Sequence, residues 1–127
     1  MQVGYLPHSF DMLNVSDLDL IEQANRHCAR LVVGVFSDEL VERLHGRPPV
    51  VPLNERLALV SHLRGVHEST VHDHEVDQAP AGARVFRAAD DPVLPVTDDA
   101  WLLVPTRRTA SPLLRAALRS GLRDDVA

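Results

Sequence analysis

Apolar positions along the chain alternate between short β-rich runs and segments of helical period, an order that predicts a parallel sheet with crossover helices. Residues 3–6 read as a first strand. Ser16 reads as the N-cap of the next helix, with Asp19 three residues on in a capping-box-like position. Leu18, Ile21, Ala24 and Cys28 recur at helical spacing and form that helix's expected buried face. Residues 31–36 are apolar at nearly every position, which predicts a central strand covered on both faces. Ser37 caps a short helix to about residue 44, and 45–52, with one glycine and three prolines, is a loop. A helix over about 53–63 turns Leu57, Val60 and Leu63 inward. Shorter runs at 69–71, 84–88 and 101–104 supply three more strands. Ser111 and Pro112 open a last helix to about 122, and 123–127 form a frayed tail. Prolines and acids break any period over 72–99.

The expected architecture is a single domain over 1–127: a Rossmann-like, three-layer α/β domain with a mostly parallel sheet of about five strands. A length of 127 residues suits one hydrophobic core. Aromatics at 4% leave Val, Leu and Ala to fill it. The net charge of −5 argues against a general nucleic-acid binder. No run reaches the roughly 20 apolar residues of a membrane span, and the first residues carry no basic leader, so no membrane and no secretion signal are expected. Cys28 is the only cysteine, which fits a reducing compartment. All 13 basic residues are arginines, as a GC-rich coding bias produces, and a cytoplasmic bacterial protein is the expectation.

Three motifs then stand in register over residues 3–66. The first is His8-Ser9-Phe10-Asp11-Met12-Leu13-Asn14-Val15-Ser16-Asp17, between the first strand and its helix. The second is Val33-Gly34-Val35-Phe36-Ser37-Asp38-Glu39, and the third Val51-Pro52-Leu53-Asn54-Glu55-Arg56. Together they resemble the cytidylyltransferases that activate glycerol phosphate and related phospho-alcohols. That family has Gly-Thr-Phe-Asp followed by His-x-Gly-His in the first motif, a Ser/Thr-Asp-Glu turn in the second and Pro-x-x-Glu-Arg in the third. Farther on, Val104-Pro105 with Arg107, Arg108 and Ser111 stands where the family has Pro-Arg-Thr-Glu-Gly-Ile-Ser-Thr.

The resemblance implies that a phosphate oxygen of an acceptor attacks the α-phosphate of CTP and pyrophosphate leaves. Such catalysis is positioning plus stabilisation of phosphoryl charge. Asn14 and Asp17 occupy the positions of the two catalytic histidines, Ser16 that of the glycine, and His8 that of the glycine ending the first strand. His8, Ser9, Phe10, Ser16, Asp38, Arg47, Arg107, Arg108 and Ser111 are the candidate nucleotide and phosphate contacts. CTP is favoured over ATP, magnesium is expected only together with nucleotide, and relatives of this type pair as homodimers.

The departures leave two functions open: a transferase with impaired chemistry, or an inactive relative that senses nucleotide or binds a protein. Other readings stand beside these. Arg107 and Arg108 fit a solvated pair equally well, Arg47 an exposed loop residue, and Glu55-Arg56 plain helix-start charge. His67, Glu68, His72, Asp73, His74 and Glu75 form the densest metal-capable run, with His72 and His74 expected on one face of a strand. That run reads better as a surface loop, and no metal site is assigned. Asp90-Asp91 reads as a solvated turn or an acidic loop of the site.

Overall fold

The structure is a computed structural model and describes residues 2–75, 78–89 and 100–106. In chain order its elements are β1 (Val3–His8), α1 (Val15–Asn25), β2 (Arg30–Phe36), α2 (Asp38–His45), α3 (Leu53–Ser61), β3 (Glu68–His72), β4 (Arg84–Ala88) and β5 (Trp101–Leu103). The five strands form one sheet in the order β3-β2-β1-β4-β5, with every neighbouring pair parallel. Leu6 lies opposite Val33, Gly34 opposite Thr70, and Phe86 opposite Trp101. The chain steps outward from β1 through β2 to β3, then returns to lay β4 and β5 on the other side of β1. That reversal opens a crevice at the carboxyl ends of β1 and β4, the usual ligand position in such sheets.

β2 is buried from Leu31 to Phe36, as its continuous apolar run predicts. Leu31, Val33 and Val35 join Leu6, Phe86, and Leu20, Ile21 and Ala24 of α1 and Val60 of α3 in the main core. Phe36 turns the other way and packs with Leu40 and Val41 of α2. Two glycines in the sheet mark close approaches. A Cβ at Gly4 would meet Phe86 and Cys28, and one at Gly34 would collide with the Tyr5 phenol. Tyr5 is thereby free to reach His72, with 2.6 Å from its hydroxyl to Nδ1 in a buried pair.

Several boundaries differ from the sequence expectation. β1 continues through Pro7 to His8. The ladder to β4 stops at Tyr5, so a proline falls where a missing donor is tolerated. The N-cap of α1 is Asn14 and not Ser16: its side chain accepts from the Ser16 and Asp17 amides. Ile21, Ala24 and Cys28 are buried as expected, whereas Leu18 is 38% exposed and Asp17 and Asp19 are buried beside them. α2 is as expected, opened by the Ser37 hydroxyl accepting from Leu40 N and closed by Gly46 at φ 79. α3 ends at Ser61, while Leu57 and Leu63 pack against the core as expected. The last helix and the tail at 123–127 lie outside the described residues.

Candidate functional site

The segment joining β1 to α1 is tightly wound. Phe10 and Met12 adopt φ 53 and 58, the left-handed region, at a cost of about 1–2 kcal/mol each for residues bearing a Cβ. Such strain persists only where neighbours fix it. Here Phe10 is buried in the core, and the Met12 carbonyl accepts from Asn14 Nδ2 at 3.0 Å. Phe10 therefore supports the turn from below.

The amino end of α1 points into the crevice, where free amides and the positive end of the helix dipole suit an anion. Asn14 fills that position itself. Its Oδ1 accepts from Ser16 N at 3.0 Å and Asp17 N at 3.3 Å. Asp17 is turned inward, and the His8 imidazole donates to its carboxylate from Nε2 at 3.2 Å. Both are largely buried, with side chains 16% and 7% exposed. His8 thus brings an imidazole to the turn from the strand side, paired with the Asp17 carboxylate. Asp19 does not add to this charge. Two residues on, it lies about 200° round the helix, where it accepts from Thr106 N at 2.6 Å and from the Thr106 hydroxyl. Gln23 donates to Val104 O at 2.8 Å, so α1 straps down the chain leaving β5.

Arg56 ties the surrounding loops together. It is 1% exposed and sends Nε to Val51 O, Nη1 to Ser9 O and Phe36 O, and Nη2 to the Asp38 carboxylate, each at 2.7 Å. Of the two sequence readings, plain helix-start charge is thereby set aside: Arg56 is a buried cation joining three segments of the site. Asp11 holds the proline-rich loop by accepting from Val50 N at 3.0 Å and Val51 N at 2.9 Å. Ser9, Asp11, Val41, His45, Arg47 and Pro48 line a small cavity of about 60 Å³ against this turn. Arg47 is exposed there and makes no ion pair among the described residues. Sequence reasoning missed His45, which it placed at the start of a loop and which closes α2. It also missed the Tyr5–His72 pair, which joins two strands that no local pattern connects.

The structure thus brings together His8, Ser9, Asn14, Ser16 and Asp17 on the first turn, with Asp38 and Arg47 on flanking segments. Acids stand in the first turn of each helix facing this pole: Asp17, Asp38 with Glu39, and Glu55. Arg107, Arg108, Ser111 and Asp90-Asp91 lie outside the described residues. The metal-capable run is dispersed, and His72 and His74 do not share a face. β3 ends at His72, which turns into the interior, whereas His74 stays exposed beside Asp73. Glu75 pairs with Arg43, and that hydrogen bond holds its carboxyl below the usual range. No three metal-ligating side chains converge among the described residues, and no described helix is long and apolar enough to cross a membrane.

The chain is similar to known proteins in sequence and in fold. It is 43% identical over 58 residues to the bifunctional protein HldE of Hyphomonas neptunium, covering 46% of this chain and 12% of that protein. It is 39% identical over 64 residues to the ethanolamine-phosphate cytidylyltransferase of Arabidopsis thaliana, covering 50% of this chain and 15% of that one. The chain thus spans a small fraction of these relatives' own lengths. The crystal structure of the lipopolysaccharide core biosynthesis protein from Thermoplasma volcanium GSS1 shares the fold, with a TM-score of 0.66, 20% identity, and coverage of 86% of this chain and 99% of that one. The model of the cytidylyltransferase-like family matches residues 5–106, and with the winding of the sheet and the motifs at its crevice this places the chain in that family.

Proposed function

We propose that this domain is a cytidylyltransferase-like nucleotidyltransferase whose transfer chemistry is impaired, and that it now acts by binding. The nominal reaction is CTP plus a phosphorylated alcohol giving a CDP-alcohol and pyrophosphate. An acceptor of that class agrees with the name of the ethanolamine-phosphate relative. The observation that carries the reading is the closure of the α1 amino end on itself, with Asn14 on the amides and Asp17 against His8. A triphosphate entering there must displace the Asn14 cap, worth about 1 kcal/mol, and approach a carboxylate. Removing one charge-stabilising donor lowers turnover by about 10²–10³, and two histidine positions are changed. On this reading Ser9, Ser16, Asp38 and Arg47, with Arg107, Arg108 and Ser111, are what remains of the nucleotide-binding surface, with CTP ahead of ATP and magnesium arriving with the nucleotide.

One observation favours a second reading, an active transferase. His8 supplies an imidazole 3.2 Å from the Asp17 carboxylate, at the position where the family carries one, and Arg47 has no ion-pair partner among the described residues at the adjoining cavity. Calorimetric titration with CTP and with ATP, each with and without magnesium, separates the two. The proposal expects affinity weaker than ~1 mM (about −4 kcal/mol), and no pyrophosphate release with phospho-alcohols present. Tight CTP binding with release of pyrophosphate would overturn it in favour of the transferase.

A further inference from the structure

The amino-end pole of the sheet carries chemistry that the crevice does not use. Because the strands are parallel, Arg30, Arg84 and Trp101, which open β2, β4 and β5, lie at one pole. Arg26 caps the carboxyl end of α1, and Arg64 stands between α3 and β3, so the crossover topology brings both to that same pole. Arg26, Arg30 and Arg64 are exposed, and none makes an ion pair among the described residues. The Arg84 guanidinium lies over the Trp101 ring, 3.9 Å from its centroid, and His27 packs on the same ring. A group of cations without an acid partner among the described residues runs against the chain's net charge of −5. The dipole of α1 accounts for Arg26, but no helix end accounts for Arg30 or Arg84.

Beside these cations, between α1 and the turn after α3, runs an open groove of about 630 Å³. Leu18 and Leu63 give it apolar wall, Arg26 and Arg64 give it cations, and Glu22 is the one acid lining it. Val15 and Leu18 on α1 and Leu59, one turn before Leu63, leave 46%, 38% and 49% of their surface exposed and lengthen the apolar stripe. An apolar groove edged by cations matches a helix with leucine-type side chains on one face and carboxylates along its flank. We propose that this groove docks an acidic amphipathic helix of a partner protein, its apolar side chains against Leu18 and Leu63 and its carboxylates against Arg26 and Arg64. The inference does not depend on what the crevice binds.

The test uses two synthetic helical peptides of about five turns. They share leucines at i, i+3, i+4 and i+7, and carry either glutamate or lysine elsewhere. Titrated into the ¹⁵N-labelled protein, the glutamate peptide should shift the amides of Leu18, Asn25, Arg26, Leu63 and Arg64, while the lysine peptide leaves them unmoved. Added salt should weaken the binding. The double variant R26E/R64E should weaken it roughly tenfold or more, with an unchanged melting temperature showing that the fold is intact. The proposal is overturned if the glutamate peptide shifts nothing, if it moves residues of the crevice instead, or if R26E/R64E binds as well as the parent. It is also overturned if only phosphatidylglycerol vesicles or duplex RNA bind this pole, which would assign it to lipid or nucleic acid.

Discussion

Arg56 is the side chain on which the crevice most depends. Its fork satisfies carbonyls of Ser9, Phe36 and Val51 together with the Asp38 carboxylate, so removing it leaves inward-facing acceptors without a donor. Arg56→Ala should cost on the order of 3 kcal/mol in a denaturant melt, and Arg56→Lys should recover only a minor part, because an ammonium cannot reproduce the planar fork. The burial of Arg56 was legible in principle: it lies four residues before Val60, on the same helix face, and only its charge argued against an inward position. Cys28 is a simpler case, a small core residue as its spacing predicted. Burial pushes its thiol up. Its alkylation at pH 8 should therefore run more than ~10-fold slower than that of free cysteine. The sign for stability follows. The folded thiol keeps its proton to higher pH than the unfolded one, so its contribution is intact below the unfolded pKa and is lost as pH rises through the folded value.

Among the elements, α1 is where sequence and structure part. Both Asn14 and Ser16 are good caps, and the choice between them was made by the wound turn ahead of the helix, where Phe10 and Met12 are left-handed. No periodicity reports such backbone. The buried face runs through Leu20, Ile21 and Ala24, which leaves Leu18 outward, while the two inward aspartates are held by His8 and Thr106. Asp19 then finds Thr106 across 87 residues of sequence, a pairing beyond any local pattern. Asn14→Ala should lower stability by about 1 kcal/mol, and the Ser16 and Asp17 amides should exchange faster with solvent. An unchanged exchange rate at both would contradict the assigned cap. The strands, by contrast, were legible within about two residues, because buried parallel strands read as unbroken apolar runs.

Among the described residues, the helix amino ends at the crevice and the opposite pole of the sheet differ in their charged side chains. The helix amino ends carry Asp17, Asp38, Glu39 and Glu55 at the crevice, and Arg26, Arg30, Arg64 and Arg84 stand at the opposite pole. Acids suit the amino ends of helices, and the same arrangement counters a polyphosphate there. The fold and family were legible because three motifs stand in order and spacing over residues 3–66. The spatial arrangement of the first turn was not, since the His8–Asp17 contact joins a strand end to a helix turn. The central claim is that the phosphate-binding turn is occupied by its own side chains. Its most direct test is a CTP titration of the protein beside the triple variant Asn14→His, Ser16→Gly, Asp17→His. The account predicts affinity weaker than ~1 mM for the protein and at least tenfold tighter binding for the variant. Equal affinity in the two, whether both bind or neither does, would contradict it.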